Sequence, residues 1–269
     1  MAGLRARYDG PRMTQGMPAG RFGRNGQKAR RGTYLLPSLI TVGNLFCGYA
    51  CVMYAMRGDL TTAAPFIGVA VVLDMLDGRI ARLTGTTSAF GVELDSLADV
   101  VSFGLAPAVL ASAWGLSELG RWGWAAGFLY VAAAAIRLAR FNIQTGTQTD
   151  KAYFIGMPSP AAAGVPAATI FFYPYPLMGK VEAMAAIAVV VIPAILMVST
   201  IRFRSFKTIN FGWERSYIKL FVFAALLVFI ATEPSWALII IAYTYLASAF
   251  VGMALTRLRG RRPALPPEA

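Results

Sequence analysis

The sequence predicts an all-α fold, a polytopic membrane helix bundle. Three observations carry that prediction. Of 269 residues, 57% are hydrophobic and only 14% charged, too apolar a balance for an ordinary water-soluble domain. The apolar residues gather in runs near the ~20 residues that a helix needs to cross a bilayer, and no run alternates like a barrel strand. The 25 Lys and Arg residues sort with those runs: 22 fall on one side, and only Arg57, Arg121 and Lys180 on the other. Cytoplasmic loops carry such an excess, so eight spans with both termini cytoplasmic satisfy the charges.

Residues 1–32 are rich in Gly and Arg and poor in apolar residues, and read as a disordered, basic cytoplasmic tail. Arg30-Arg31 is not an export signal here, because Pro37 and Asn44 interrupt the next run and no A-x-A cleavage site follows. The spans are expected near 34–56, 61–83, 94–116, 122–142, 158–178, 183–201, 217–232 and 235–256. The first carries Pro37, Thr41 and Asn44 at three- to four-residue spacing, which makes one polar face. It also carries Cys47 and Cys51, expected as buried thiols in an apolar stretch. The second and third are joined by a short turn-like link from Leu83 to Phe90, so they are antiparallel neighbours. The fourth ends in Arg137, Arg140 and Asn142, and the sixth exits through Arg202, Arg204 and Lys207. Residues 257–269, with Pro263, Pro266 and Pro267, form a second basic, Pro-rich cytoplasmic tail.

Several function classes drop out. With no His in the chain there is no His-based triad, metal site or proton shuttle, and two Cys four residues apart do not make a metal site. The net charge of +12 comes from residues flanking membrane helices, where they anchor topology and attract anionic headgroups. No aromatic–basic interleaving of a nucleic-acid module appears, so no nucleic-acid partner is expected.

The chemistry lies between residues 74 and 99. Asp74, Asp77, Asp95 and Asp99 stand inside otherwise membranous sequence. Each acid at membrane depth costs about 2.5–3.5 kcal/mol on insertion scales, and four together also repel one another. Asp74 and Asp77 are three apart, and Asp95 and Asp99 four apart, so each pair shares a helical face. Across a tight antiparallel turn both pairs converge on one point near the cytoplasmic surface. Gly91 lies one turn before Asp95, and Gly78 and Ala81 leave backbone open for a bulky ligand. Arg82 can reach a phosphate. Hard divalent cations take oxygen ligands, and Mg²⁺ commonly joins carboxylates to phosphate oxygens, so a metal-bridged diphosphate suits this set. Helix capping explains one or two such acids but not two same-face pairs. An ion-coupled transporter is the rival of another class; it would spread its acids over several broken helices at mid-membrane, whereas these four cluster at one edge.

The spacing D-x2-D-G-x2-A-R-x8-G-x3-D-x3-D, from Asp74 to Asp99 without departure, resembles the signature of the CDP-alcohol phosphatidyltransferases. The resemblance implies a six-helix catalytic core within 33–210 and two additional spans in 211–256. It implies a membrane enzyme that moves a phosphatidyl group from a CDP-linked lipid such as CDP-diacylglycerol to an alcohol, releasing CMP. It implies that Asp74, Asp77 and Asp95 bind a divalent metal, Mg²⁺ or Mn²⁺, and that Asp99 contributes to the metal site and is the catalytic base. It further implies that Thr41 and Asn44 line the nucleotide site with Gly78, Ala81, Arg82 and Gly91, and that the protein lies in the bacterial inner membrane, in a family that often forms homodimers. The segments LLPSLITVGNLFCG, DVVSFGLAPA, RLARFN, GMPSPAAAG and IRFRSFK look like the integral-membrane bacterial branch whose acceptor is L-serine. Arg137 and Arg140, with Asn142 beside them, are the candidate serine-carboxylate site, since a guanidinium binds a carboxylate bidentately. Glycerol 3-phosphate or inositol phosphate would also call for arginines, and choline is a further acceptor to consider. Arg202, Arg204 and Lys207 are candidates for lipid phosphate or headgroup contact.

Overall fold

A computed structural model describes residues 35–85, 88–144, 153–199, 202–204 and 217–259. The tail at 1–32, Lys207 and the end of the second tail at 260–269 lie outside the described residues, as does the basic loop residue Lys151.

Helix α1 (Leu35–Met56) is followed after a tight turn by α2 (Leu60–Thr84). Asp59 starts α2 by accepting a hydrogen bond from the Thr62 N–H at 3.0 Å. Thr62's hydroxyl and N–H together hold the Asp59 carboxyl below its ordinary range. Gly85 ends α2 in the left-handed conformation (φ 63°), and its N–H bonds to the Ala81 carbonyl. Helix α3 (Ala89–Asp99) runs on through a π-helical stretch, Val100–Leu105, into α4 (Ala106–Trp114). This third rod begins five residues before the expected 94, because the Ser88 hydroxyl caps it by accepting from the Gly91 N–H at 3.0 Å.

A 3₁₀ turn (Leu116–Leu119) leads into α5 (Arg121–Gln144). Helix α6 (Ser159–Phe172) stops well short of the expected 178. Pro174 and Pro176 follow it, and a residue before proline is pushed out of helical conformation. Then come α7 (Lys180–Val198), α8 (Tyr217–Thr232) and α9 (Pro234–Arg259). Among the described residues, five rods are long and apolar enough to cross a membrane: Pro37–Met56, Leu60–Thr84, Ala89–Trp114, Arg121–Ile143 and Lys180–Val198. Helices α6, α8 and α9 occupy the other three expected positions.

One feature was not expected. Strands β1 (Tyr153–Ile155) and β2 (Arg202–Arg204) form a two-stranded antiparallel ribbon, with Phe154 opposite Phe203. The ribbon ties the link before α6 to the exit of α7. Gly156, at φ 80°, follows β1 and sits so close to the Met197 carbonyl that an added Cβ would lie 2.5 Å from it.

The core is built from small side chains. Ala63, Ala70, Ala106, Ala111, Ala134, Ala162 and Ala186 are fully buried beside Ile67, Phe103, Leu110 and Tyr130. Association of helices in lipid depends on close backbone approach, which small residues permit. Cys47 and Cys51 are buried free thiols, as expected. Large apolar residues such as Leu39, Phe46, Trp122, Trp124 and Phe128 face outward, the arrangement a lipid-facing bundle requires.

Candidate active site

The antiparallel turn between α2 and α3 brings the two acidic helix faces together. One oxygen each from Asp74, Asp95 and Asp99 lies within 4.8 Å of the others. Asp77, one turn past Asp74, is buried and points to α1, where its Oδ2 lies 2.9 Å from the Thr41 hydroxyl. That hydroxyl is also 3.1 Å from the Pro37 carbonyl, so its proton is shared between two acceptors. Asp77 remains within electrostatic reach of Asp74 and Asp95. The four acids therefore divide into three that meet at one point and one held beside them by α1.

Helix α1 supplies the next wall. Asn44 is fully buried and donates from Nδ2 to Asp99 Oδ1 at 3.2 Å. Its backbone carbonyl accepts from the Ser102 hydroxyl at 2.9 Å. The two helices touch at Gly48, where a Cβ would come within 2.5 Å of Ser102 Oγ and 2.8 Å of its Cα. Only glycine permits this approach, which seats Asn44 against Asp99. Asn44 Oδ1 is buried with no hydrogen-bond partner among the described residues, and so is Asp95 Oδ1. Buried polar atoms are rarely left unpaired in proteins, so both oxygens are acceptors available to a ligand.

Arg137 on α5 supplies positive charge. Its guanidinium interacts electrostatically with Asp99 and Asp74. It donates to the Ser159 hydroxyl at the start of α6 and sits 5.6 Å from the Phe141 ring centre. The other two residues of the expected serine group point elsewhere. Arg140 donates to the Val198 carbonyl at 3.2 Å, and Asn142 to the Ser96 hydroxyl at 2.8 Å. Arg82 is exposed and folds back on its own helix, with Nε 2.7 Å from the Gly78 carbonyl. Gly78, Ala81 and Gly91 are partly exposed near the carboxylates in sequence. Arg202 and Arg204 lie on β2.

Gly48, Ser102 and Ser159 were not singled out from the sequence. All three lie within segments that carry the resemblance, but nothing in one sequence marks a glycine as a helix contact or a serine as the partner of a distant arginine.

The donor set fits a divalent cation. Arg137 is the cation within electrostatic reach of Asp74 and Asp99 among the described residues, so the four acids outnumber it, and three carboxylate oxygens already lie at mutual distances one ion can span. The unpaired Asp95 Oδ1 is the kind of oxygen that such an ion satisfies. The cluster is thus able to hold a metal ion.

Residues 34–205 match the family model described as CDP-alcohol phosphatidyltransferase. The chain is 42% identical over 192 residues to the CDP-diacylglycerol–serine O-phosphatidyltransferase of Helicobacter pylori, covering 70% of this chain and 78% of that protein. It is 36% identical over 172 residues to the enzyme of the same name from Bacillus subtilis, covering 64% and 91%. It is also 33% identical over 170 residues to the archaetidylserine synthase of Methanothermobacter thermautotrophicus, covering 62% and 69%.

Proposed function

From a chain that belongs to the CDP-alcohol phosphatidyltransferase family, we propose an integral-membrane enzyme that transfers the phosphatidyl group of CDP-diacylglycerol to L-serine, yielding phosphatidylserine and CMP. The observation that carries this reading is the meeting of Asp74, Asp95 and Asp99 beside Asn44 and Arg137. Acids, an amide and a guanidinium are what a diphosphate-bearing lipid and a zwitterionic acceptor jointly require. The names of the relatives support serine as the acceptor.

In this reading Asp74, Asp95 and Asp99 would hold Mg²⁺ or Mn²⁺ together with Asp77, whose carboxylate Thr41 fixes. When bound, the ion neutralises diphosphate charge and eases departure of CMP. Arg137 takes the serine carboxylate, since a guanidinium fork matches two carboxylate oxygens. Arg140 and Asn142 brace α5 around it, through α7 and α3. Asp99, with one oxygen tied to Asn44, accepts the serine hydroxyl proton on the other. The serine oxygen bonds to the phosphorus that carries diacylglycerol, and the bond from that phosphorus to CMP breaks. Asn44 Oδ1 accepts from the substrate. Thr41, Gly78, Ala81 and Gly91 shape the nucleotide and diphosphate side, and Arg82 swings from the Gly78 carbonyl to a phosphate. Arg202, Arg204 and Lys207 meet lipid headgroups.

The catalytic core is 33–210, joined by two further spans in 211–256. The active site faces the cytoplasm of a bacterial inner membrane, where the tails 1–32 and 257–269 also lie. A homodimer belongs to this reading.

The test is CMP release in detergent from CDP-diacylglycerol with serine, glycerol 3-phosphate, inositol phosphate or choline, while Mg²⁺ or Mn²⁺ is titrated. Metal-dependent release that saturates at low concentration with serine alone is expected. Preferential turnover of another alcohol would overturn serine. No release with any acceptor would overturn the reaction.

A further inference from the structure

Ser159, the first residue of α6, is a polar side chain that packing alone does not require. It is fully buried, and its sequence neighbours Met157, Ala162 and Ala163 are buried too. An alanine would fill the same space, and a buried hydroxyl costs free energy unless it is hydrogen-bonded. Its bond is to α5, where Arg137 donates from Nη1 to the Ser159 hydroxyl oxygen. The guanidinium also lies 5.6 Å from the centre of the Phe141 ring. Attraction to a ring face does not fix how the fork is turned. The hydroxyl oxygen, an acceptor at one nitrogen, does.

Three further contacts set Ser159 opposite Arg137. The last turn of a helix leaves carbonyls without intrahelical partners. At the end of α7 these are met from outside. The Met157 N–H, two residues before Ser159, donates to the Leu196 carbonyl at 2.9 Å. Gly156, at φ 80°, approaches the Met197 carbonyl more closely than a residue with a Cβ could. Arg140, three residues after Arg137, donates to the Val198 carbonyl at 3.2 Å. The approach to α6 and the end of α5 are therefore docked on three successive residues of one helix end. The ribbon pairing Tyr153–Ile155 with Arg202–Arg204 closes the same junction from beyond.

We infer that Ser159 is a positioning residue, which accepts a hydrogen bond from the Arg137 guanidinium and so fixes the fork that receives the acceptor's carboxylate. The inference rests on the serine-accepting reading above and deepens it, adding a residue that acts on the acceptor only through Arg137. A guanidinium grips a carboxylate with two parallel bonds when its fork is aligned. A fork ordered beforehand need not be ordered when serine binds. In that reading α1, α2 and α3 hold the donor lipid and the reacting groups, so loss of this bond falls on the acceptor.

Ser159→Ala removes the oxygen and keeps the packing. In the full-length protein its serine KM should rise about 3- to 10-fold, the cost of ordering one long side chain on binding. Its kcat and its KM for CDP-diacylglycerol should stay within about twofold, as for lost ground-state binding of one substrate. Ser159→Cys, whose sulfur is a weaker acceptor, should give an intermediate serine KM. The decisive comparison repeats Ser159→Ala in an Arg137→Gln background, where no fork is left to aim. There it should change kcat/KM for serine by less than about twofold, the non-additivity of residues that act through one contact. A wild-type serine KM in Ser159→Ala overturns the inference. An equal loss for both substrates, or a larger defect in Ser159→Cys than in Ser159→Ala, marks a packing role and overturns it too. So does an undiminished effect in the Arg137→Gln background, which marks a role independent of the arginine. Turnover of another alcohol in place of serine by the unsubstituted protein is a failure of the underlying reading, seen before any variant is made, and this inference falls with it.

Discussion

The aspartates of the signature are not equivalent. Asp77 is engaged by Thr41, whereas Asp99 has one oxygen paired with Asn44 and shares the three-acid cluster. Asn44 is itself held by Ser102, so Asp99 is fixed through a chain of two hydrogen bonds crossing from the third rod to α1 and back. Orientation of this kind matters for a carboxylate base, because proton transfer needs the acceptor oxygen within hydrogen-bond reach of the reacting hydroxyl. Asp99→Asn keeps the shape and removes the basic oxygen. Its turnover should fall about 10²- to 10⁴-fold, the usual worth of a positioned base. Size-exclusion profile and thermal midpoint should remain near wild type. Wild-type-like CMP release from this variant would eliminate the base assignment.

Among the elements, the π-helical stretch Val100–Leu105 stands out. It begins immediately after Asp99 and contains Ser102, Phe103 and Gly104, all buried. A π-helical turn takes more residues than an α-helical one, so it re-aims the residues that follow; such stretches often occur at functional sites. Here it lies where α1 crosses, and Gly48 gives it room. Gly48→Ala would place a methyl group within 3 Å of the Ser102 backbone. Overpacking of this kind costs about 1–3 kcal/mol, and here the helices must part to relieve it. We expect a lower thermal midpoint together with a fall in kcat, because parting the helices draws Asn44 from Asp99. Ala substitution at Gly127, where no neighbouring atom lies within 4 Å of an added Cβ, should leave both unchanged. If both variants behave alike, Gly48 is not the contact that seats Asn44.

For the whole molecule, the distribution of charge makes a prediction about sidedness. From the 22-to-3 split of basic residues we predict that the Arg57, Arg121 and Lys180 links lie outside and the carboxylate cluster inside. Both native thiols are buried, so single reporter cysteines can be read against a low background. In spheroplasts, an impermeant maleimide should modify Ser117→Cys, in the exposed 3₁₀ turn before Arg121, and spare Ile143→Cys at the exposed far end of α5. The reverse pattern would invert the topology and place the site outside.

The sequence by itself determined the helical membrane bundle and singled out four acids, three of which gather at one point. Hydropathy, charge asymmetry and i, i+3 and i, i+4 spacing are local properties, and a bilayer admits few alternatives to helices. It also marked the link from Leu83 to Phe90 as a turn and Arg137 as a candidate acceptor residue. What it did not contain was distance between rods. That Asp74 meets Asp95 and Asp99 while Asp77 turns to Thr41, that Gly48 admits Ser102, and that Arg137 meets Ser159 are facts about residues on different helices. The short ribbon joining 153–155 to 202–204 belongs with them, since its pairing crosses two helices. Such contacts are set by how small side chains let helices approach and cross, and no periodicity within one segment encodes that.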